Sequence, residues 1–357
     1  MAYFTLNKAS LVHNYQFLKN LFDSHQVEWA PVLKMLCGNE LFLEFVLSLG
    51  DEQVCDARLT NLKTIRKIKP EVGTIYIKPP SKHIIKDIVT FADVSFNTEF
   101  TTIKWLSEEA KRQNKVHRVV IMIELGDLRE GIMGDHLMDF YKAIFELPNI
   151  QVAGIGTNLN CLSGVMPSKD KLIQLCLYEQ LIEAKFDQKI DGVSGGSSVM
   201  VPLLLKGIVP KGINHFRVGE TLFFGSDLFE NTTIEGMKDD VFTLHCEIIE
   251  ITEKPSVPYG ELEKNPSGDM FEVDESKWTE IQKRAILDVG LLDVSKIDFL
   301  RCLDESVNFV GASSDMLVLD ISQTEIDYKI GDIISFRTDY MGALRIMNSE
   351  YIEKRLI

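Results

Sequence analysis

Ile190-Asp-Gly-Val193-Ser194-Gly-Gly-Ser197-Ser198 and Asn214-His215-Phe-Arg217-Val-Gly219-Glu220 are two short apolar runs, each closing on a small, glycine-bearing turn. Runs of this length with this ending read as buried strands that enter turns. Toward the N-terminus the same unit recurs at residues 29–36, 53–56, 74–78, 93–96, 119–124 and 152–156. Between these runs lie amphipathic stretches, such as 99–111 and 169–185, and Asn7 stands where it can cap a first helix carrying Leu11, Tyr15, Leu18 and Phe22. Eight strand–helix alternations in roughly 200 residues fit a (β/α)8 TIM barrel, with a doubly wound open sheet as the runner-up. After residue 226 the pattern changes to strands without long helices, at 241–251, 284–289, 309–311, 316–321 and 332–336. The expected architecture is α/β: a barrel over 8–225, then a mainly antiparallel β domain over 226–357 that is joined by a strand at 2–6. Residues 254–278, rich in Pro, Gly and charge, read as an exposed loop.

The chain has 357 residues, 45% of them apolar and 25% charged, which is ordinary globular composition. A net charge of −15 disfavours a grip on nucleic-acid backbones or anionic membranes. The six cysteines are scattered, with no C-x-x-C pair. A structural zinc site is therefore not expected, and reduced thiols in a cytoplasmic protein fit better than disulfides. The N-terminal residues lack the pattern of a secretion signal, and no run is long and apolar enough to span a membrane.

In such a barrel, chemistry gathers at the C-terminal ends of the strands, and phosphate often binds the loops after strands seven and eight. Ser194 to Ser198 and Gly219 stand in those loops. They offer close backbone N–H groups and hydroxyl donors, although a tight turn with a helix cap uses the same residues. Lys34 ends the first barrel strand inside Ala30-Pro-Val-Leu-Lys34-Met-Leu36. Poor hydration there would free its amine as a nucleophile, unless the head snorkels to solvent. A nucleophilic lysine facing a phosphate cradle suits pyridoxal 5'-phosphate or a phosphosugar aldolase. Arg217 favours the first, because a guanidinium can face the pyridine nitrogen, though it could instead pair with Glu220.

Several segments together resemble a known family: Val32-Leu-Lys34-Met-Leu-Cys-Gly38, Asp56-Ala-Arg58-Leu-Thr-Asn61, Gly126-Asp-Leu-Arg129-Glu-Gly131, Gly154-Ile-Gly-Thr-Asn158-Leu-Asn-Cys161, Ser194-Gly-Gly-Ser-Ser198, Asn214-His-Phe-Arg217-Val-Gly-Glu220 and Gly311-Ala-Ser-Ser314-Asp315. They are similar to pyridoxal-phosphate amino-acid racemases of the ornithine racemase group, fold-type III enzymes of the alanine-racemase-like superfamily. The resemblance runs in order along nearly the whole chain. It implies a homodimer in which each active site is closed by the partner's β domain. It implies that Lys34 carries the cofactor as an imine and acts as one acid/base. By the same match, Ser198 with Gly219 and Glu220 holds the phosphate, beside Ser197, and Arg217 faces the pyridine nitrogen. Asn158 would sit near the ring, Arg129 on the substrate side, and Tyr340 on the phosphate. Ser314 and Asp315 would reach the substrate from the partner.

The sequence departs from that group at Ser197, where asparagine is usual, at Leu291 and Leu292 after Gly290, and at Met316 after Ser-Ser-Asp. The tyrosine base of alanine racemases falls near Leu291. These positions lie on the substrate side. The expected reaction is racemisation of a free α-amino acid, such as ornithine, lysine, alanine or serine. Lys34 serves one face of Cα; Asp293, Ser314, Asp315, Cys302 and Tyr340 are candidates for the other, with Asp315 preferred. The rival readings are a cofactor-binding protein without turnover and a decarboxylase on the same fold.

Overall fold

A computed structural model describes residues 2–264, 268, 270–274, 276 and 278–357. Its first strand, β1 (Tyr3–Leu6), precedes a run of eight parallel strands: β2 (Glu28–Pro31), β3 (Gln53–Asp56), β4 (Gly73–Tyr76), β5 (Val94–Asn97), β6 (His117–Met122), β7 (Ile150–Gly156), β8 (Gly192–Ser194) and β9 (His215–Val218). They pair in the order β2-β9-β8-β7-β6-β5-β4-β3. A parallel bridge between Val32 and Cys55 joins the two ends of that order, and Leu33 N donates to the Cys55 carbonyl at 2.8 Å. An open sheet would leave both edges free, so this bridge decides for the barrel.

Period-two alternation sets the inside and the outside of the wall. Trp29 and Phe216 face outward, where both pack against Phe22 of the helix Lys8–His25, with ring centroids 5.4 and 5.7 Å away. Asn7 caps this helix by accepting from Ser10 N. The neighbours of Trp29 and Phe216 in sequence therefore face inward. Ala30, Val32, Cys55, Ile75, Val94, Phe96, Val120 and Met122, from the side of β2 to β6, form one buried apolar cluster. Each fully buried apolar side chain of this size is worth roughly 1.5–3 kcal/mol of transfer free energy. The other three strands, β7 to β9, carry Gly156, Ser194, His215 and Arg217 in register with that inner face. One half of the barrel interior is thus greasy, and the other is small and polar.

Strand bounds read from the sequence shift by one to a few residues, and two of the shifts bear on the site. Residues 29–36 are strand only through Pro31; Lys34–Leu36 form a 3-10 turn after Leu33 bends at φ −95°, ψ 1°. Burial alone does not tell a short strand from a helical turn, because Leu33 and Leu36 are buried in either. The strand read at 190–193 lies instead at Gly192–Ser194.

The second unit gathers the N-terminal residues through Leu6 with Phe242–Arg355, and the barrel unit is Asn7–Val241. The pattern change near residue 226 precedes this division, because the paired short strands β10 (Ser226–Asp227) and β11 (Thr232–Thr233) stay with the barrel unit. The second unit contains β12 (Phe242–Pro255), β13 (Ile281–Leu287), β14 (Leu300–Cys302), β15 (Asn308–Ala312), β16 (Leu317–Asp320), β17 (Ile333–Thr338) and β18 (Glu353–Leu356). Its antiparallel order is β14-β17-β12-β13-β16-β15, with β1 between β12 and β18. A helix, Tyr340–Asn348, was not expected from the sequence; Asp339 caps it by accepting from Gly342 N at 2.7 Å. Most of the loop read at 254–278 is free of strand from Ser256 onward, and residues 265–267, 269, 275 and 277 of it lie outside the described ones.

Candidate active site

Lys34 leaves the end of β2 half-buried, between the buried side chains of Leu33 and Met35. Among the described residues, no hydrogen bond or ion pair engages its amine. The adjacent strand end carries Asp56, which is fully buried. Its carboxylate accepts from Arg58 N at 2.7 Å and from the Asn61 amide at 3.2 and 3.1 Å. Burial raises the Asp56 pKa to about 6, although these hydrogen bonds and the Lys34 ammonium pull against it. Gly38, in the left-handed region at φ +77°, lies against Asn61; a Cβ there would meet the Asn61 amide oxygen at 2.9 Å. The two segments Val32 to Gly38 and Asp56 to Asn61 are thereby one physical unit behind the amine.

Arg217 lies inside the barrel, 4% exposed. Its Nη1 donates to Ser194 Oγ at 2.5 Å and its Nη2 to the Thr157 carbonyl at 2.9 Å. The guanidinium crosses to the opposite strand β5, where its carbon sits 4.9 Å from the Phe96 ring centroid. Burial draws its pKa down from the ordinary arginine value, but a guanidinium stays protonated at neutral pH. Among the described residues no carboxylate pairs with it. The partners its terminal nitrogens take are Ser194 and Thr157, where the sequence leaves Glu220 open.

Ser198 is 3% exposed, and its Oγ accepts from Gly219 N at 3.2 Å and Thr221 N at 3.1 Å. An oxygen that accepts twice still has its own proton to donate. Ser197, half-buried, precedes the turn Ser198–Met200, and Glu220 opens the short helix Glu220–Phe224. Gly219 lies against the Lys34 segment: a Cβ on it would stand 3.1 Å from Val32. Lys34, the Ser198 turn, Gly219 and Arg217 therefore share one end of the barrel, as the sequence predicts.

The loops after β6 and β7 are locked together by Asp127, which is 1% exposed. Its carboxylate accepts from the backbone N–H groups of Cys161, Leu162, Ser163 and Val165. Burial raises its pKa, but these four bonds outweigh that and hold it below the usual carboxylate range. Arg129 pairs with Glu130 through both Nε and Nη2, a contact that keeps its guanidinium firmly protonated. Asn158, half-buried, follows the Thr157 whose carbonyl holds Arg217.

The remaining sequence candidates belong to the second unit. Ser314 and Asp315 are exposed in the turn between β15 and β16, and Ser314 Oγ donates to the Asp315 carboxylate at 2.5 Å. Tyr340 is the first residue of its helix. Asp293 accepts from Ser349 Oγ at 2.7 Å, and burial raises the Cys302 thiol above its ordinary value. Met316 and Leu292 are exposed. Sequence reading missed the parts played by Phe96, Asn61 and His215; for His215 the signal was its place two residues before Arg217, on the same face of one strand.

The barrel residues fit a phosphorylated pyridine aldehyde. A free amine can take the aldehyde, a buried cation without a carboxylate can face the ring nitrogen, and a donor-lined turn can receive the phosphate. Residues 6–227 match the family described as alanine racemase, N-terminal domain. Over 354 residues, 99% of each chain, the sequence is 38% identical to the ornithine racemase of Acetoanaerobium sticklandii. It is 29% identical to the lysine racemase of Thermotoga maritima, covering 98% of this chain and 96% of that one. Among solved structures, the alanine racemase of Bartonella henselae with covalently bound pyridoxal phosphate shares the fold, with a TM-score of 0.73 at 15% identity over 100% of this chain and 99% of that chain.

Proposed function

The chain belongs to the alanine racemase family, and on that ground we propose that it is a pyridoxal 5'-phosphate-dependent racemase of a free α-amino acid, with ornithine or lysine as the first substrates to test. The observation that carries the proposal is the meeting, at one barrel end, of Lys34, whose amine makes no hydrogen bond or ion pair among the described residues, the Ser198 turn bonded to Gly219, and the buried Arg217. The full-length likeness to an ornithine racemase and a lysine racemase supports the substrate class.

When bound, pyridoxal phosphate acidifies the Cα–H bond of an amino acid joined to it. The rest falls to this chain. Lys34 would hold the cofactor through its aldehyde carbon, and its amine would move a proton at Cα on one face. Ser198, Ser197 and the N–H groups of Gly219 and Glu220 bind the phosphate, with Tyr340 also on it. Arg217 donates to the ring nitrogen. A guanidinium does not give up its proton, so Arg217 would hold that nitrogen by a hydrogen bond without protonating it. Asn158 stands near the ring, and Arg129, fixed by Glu130, faces the substrate. Asp315, with Ser314, serves the other face of Cα. They reach it from the second subunit of a homodimer, a reading supported by their exposure. Six free thiols support a cytoplasmic setting, and no described helix is long and apolar enough to cross a membrane.

The test is proton NMR of ornithine, lysine, alanine and serine in heavy water with the purified, cofactor-loaded protein. Loss of the Cα proton signal of at least one is expected, with its enantiomer appearing on chiral chromatography of the same sample. Retention of every Cα signal by a yellow protein would leave a cofactor carrier instead.

A further inference from the structure

The polar half of the barrel interior holds a hydrogen-bonded chain of Arg217, Ser194 and His215, of which the proposed chemistry uses only Arg217. Ser194 Oγ lies 2.5 Å from Arg217 Nη1 and 2.8 Å from His215 Nδ1. A guanidinium can only donate, so Ser194 accepts from Arg217. Ser194 keeps one proton to donate, and with the His215 proton on Nε2 the Nδ1 lone pair accepts it. Burial, with Arg217 close by, lowers the His215 pKa to about 3, so the ring is neutral near neutral pH. The Thr157 carbonyl holds the other terminal nitrogen at 2.9 Å, and Phe96 lies under the plane. Two of the five guanidinium N–H groups are thus committed to the wall among the described residues, and three remain for whatever occupies the barrel end.

We propose that His215 is a positioning residue that acts through the Ser194 hydroxyl to aim Arg217 at the pyridine nitrogen of the bound cofactor. The proposal rests on the cofactor reading given above. Without an acceptor at Nδ1, the Ser194 proton competes for other partners, and the hydroxyl no longer offers a fixed lone pair to Nη1. The guanidinium then tilts, and the ring nitrogen loses its donor and becomes free to take a proton from water.

The experiment compares His215→Phe, His215→Asn and Ser194→Ala with the unaltered protein. The asparagine places a carbonyl oxygen where Nδ1 stood; the phenylalanine keeps the ring but no acceptor. Two readouts are used: the dissociation constant of pyridoxal phosphate from titration of the apoprotein, and the 15N resonance of ring-labelled pyridoxal phosphate in the loaded protein. In the unaltered protein and His215→Asn, the resonance should lie in the unprotonated range with similar affinity. In His215→Phe and Ser194→Ala, it should move toward the protonated range, and affinity should fall about tenfold. If His215→Phe fails to fold, Ser194→Ala carries the same prediction. Unchanged resonance and affinity in folded His215→Phe or Ser194→Ala, or equal damage by the asparagine and the phenylalanine, overturns the proposal. Failure of the racemase reading shows itself separately: cofactor binds and the 15N readout works, but no amino acid exchanges its Cα proton. Absence of cofactor uptake by the unaltered protein refutes both.

Discussion

Lys34 shows how a single reactive side chain depends on residues that never touch the substrate. Its amine stands beside a fully buried carboxylate, and Asp56 tolerates burial because Asn61 and Arg58 N satisfy both of its oxygens. Asn61→Ala removes the amide donor and leaves that carboxylate half-satisfied in the interior. The expected cost is about 1–3 kcal/mol, read as a lower midpoint in urea unfolding, with the yellow chromophore at Lys34 still forming. Lys34→Ala should behave the other way, folding normally and abolishing the chromophore. Much of this scale was legible in the sequence. Lys34, Arg217 and Ser198 are the wrong residue types for the apolar runs that carry them, and that mismatch marks them. Asn61 and Phe96 carry no such mark. Asparagine on a helix and phenylalanine on a strand are ordinary, and their roles come only from partners that folding brings near, as when Arg217 crosses the barrel to Phe96.

Among the elements, the loop Gly126 to Gly131 is the most constrained. Gly126, Leu128 and Gly131 all have positive φ, at +121°, +55° and +142°. At Gly131 a Cβ would meet Glu124 N at 2.4 Å, because the loop folds back so that Ile132 pairs with Ile123. The loop therefore circles back so that Ile132 lies parallel beside Ile123 at the end of β6, and Asp127 within it gathers four N–H groups of the next loop. Asp127→Ala should free both loops, at a cost on the order of 2–3 kcal/mol. Hydrogen exchange would report it as lost protection at Cys161, Leu162, Ser163 and Val165, while amides of β2 and β3 keep theirs. Protection unchanged at those four would mean that the clamp holds nothing. The sequence identified this segment by resemblance, and its glycines advertised unusual backbone. Its clamp was not legible, because the donors lie 34 to 38 residues away. Element boundaries were harder still. Residues 32–36 are apolar enough for strand or helical turn, and only Cys37 and Gly38 at φ +50° and +77° reveal the reversal that ends the run.

For the molecule as a whole, buried titratable groups of opposite sense set how stability follows pH. Burial lowers His117 to about 4, where its Nε2 meets Ser95 Oγ, and His215 to about 3. As pH falls from the ordinary histidine value of about 6.5, the unfolded chain takes up protons that the folded chain refuses, so these two groups destabilise the fold. Burial raises Asp51 and Asp56 to about 6. As pH falls through that value, the folded chain takes up protons before the unfolded one does, so these two groups stabilise the fold down to the ordinary carboxylate value near 3.9. Two groups of each kind oppose one another between about pH 6 and pH 4, which predicts a shallow plateau there. Below it the aspartates are already protonated on both sides and give nothing more, while His215 and the low-lying Asp127 continue to favour unfolding. Replacing one histidine should break the balance. His117→Gln keeps a partner for Ser95 but cannot be charged, so its stability relative to the unaltered protein should rise by roughly 2–3 kcal/mol between pH 7 and pH 4.5. Thermal unfolding of the two proteins across that range checks it. Curves that stay parallel would show that His117 is not held neutral by the fold, and the opposition between the buried histidines and aspartates would then lose one of its two histidine members.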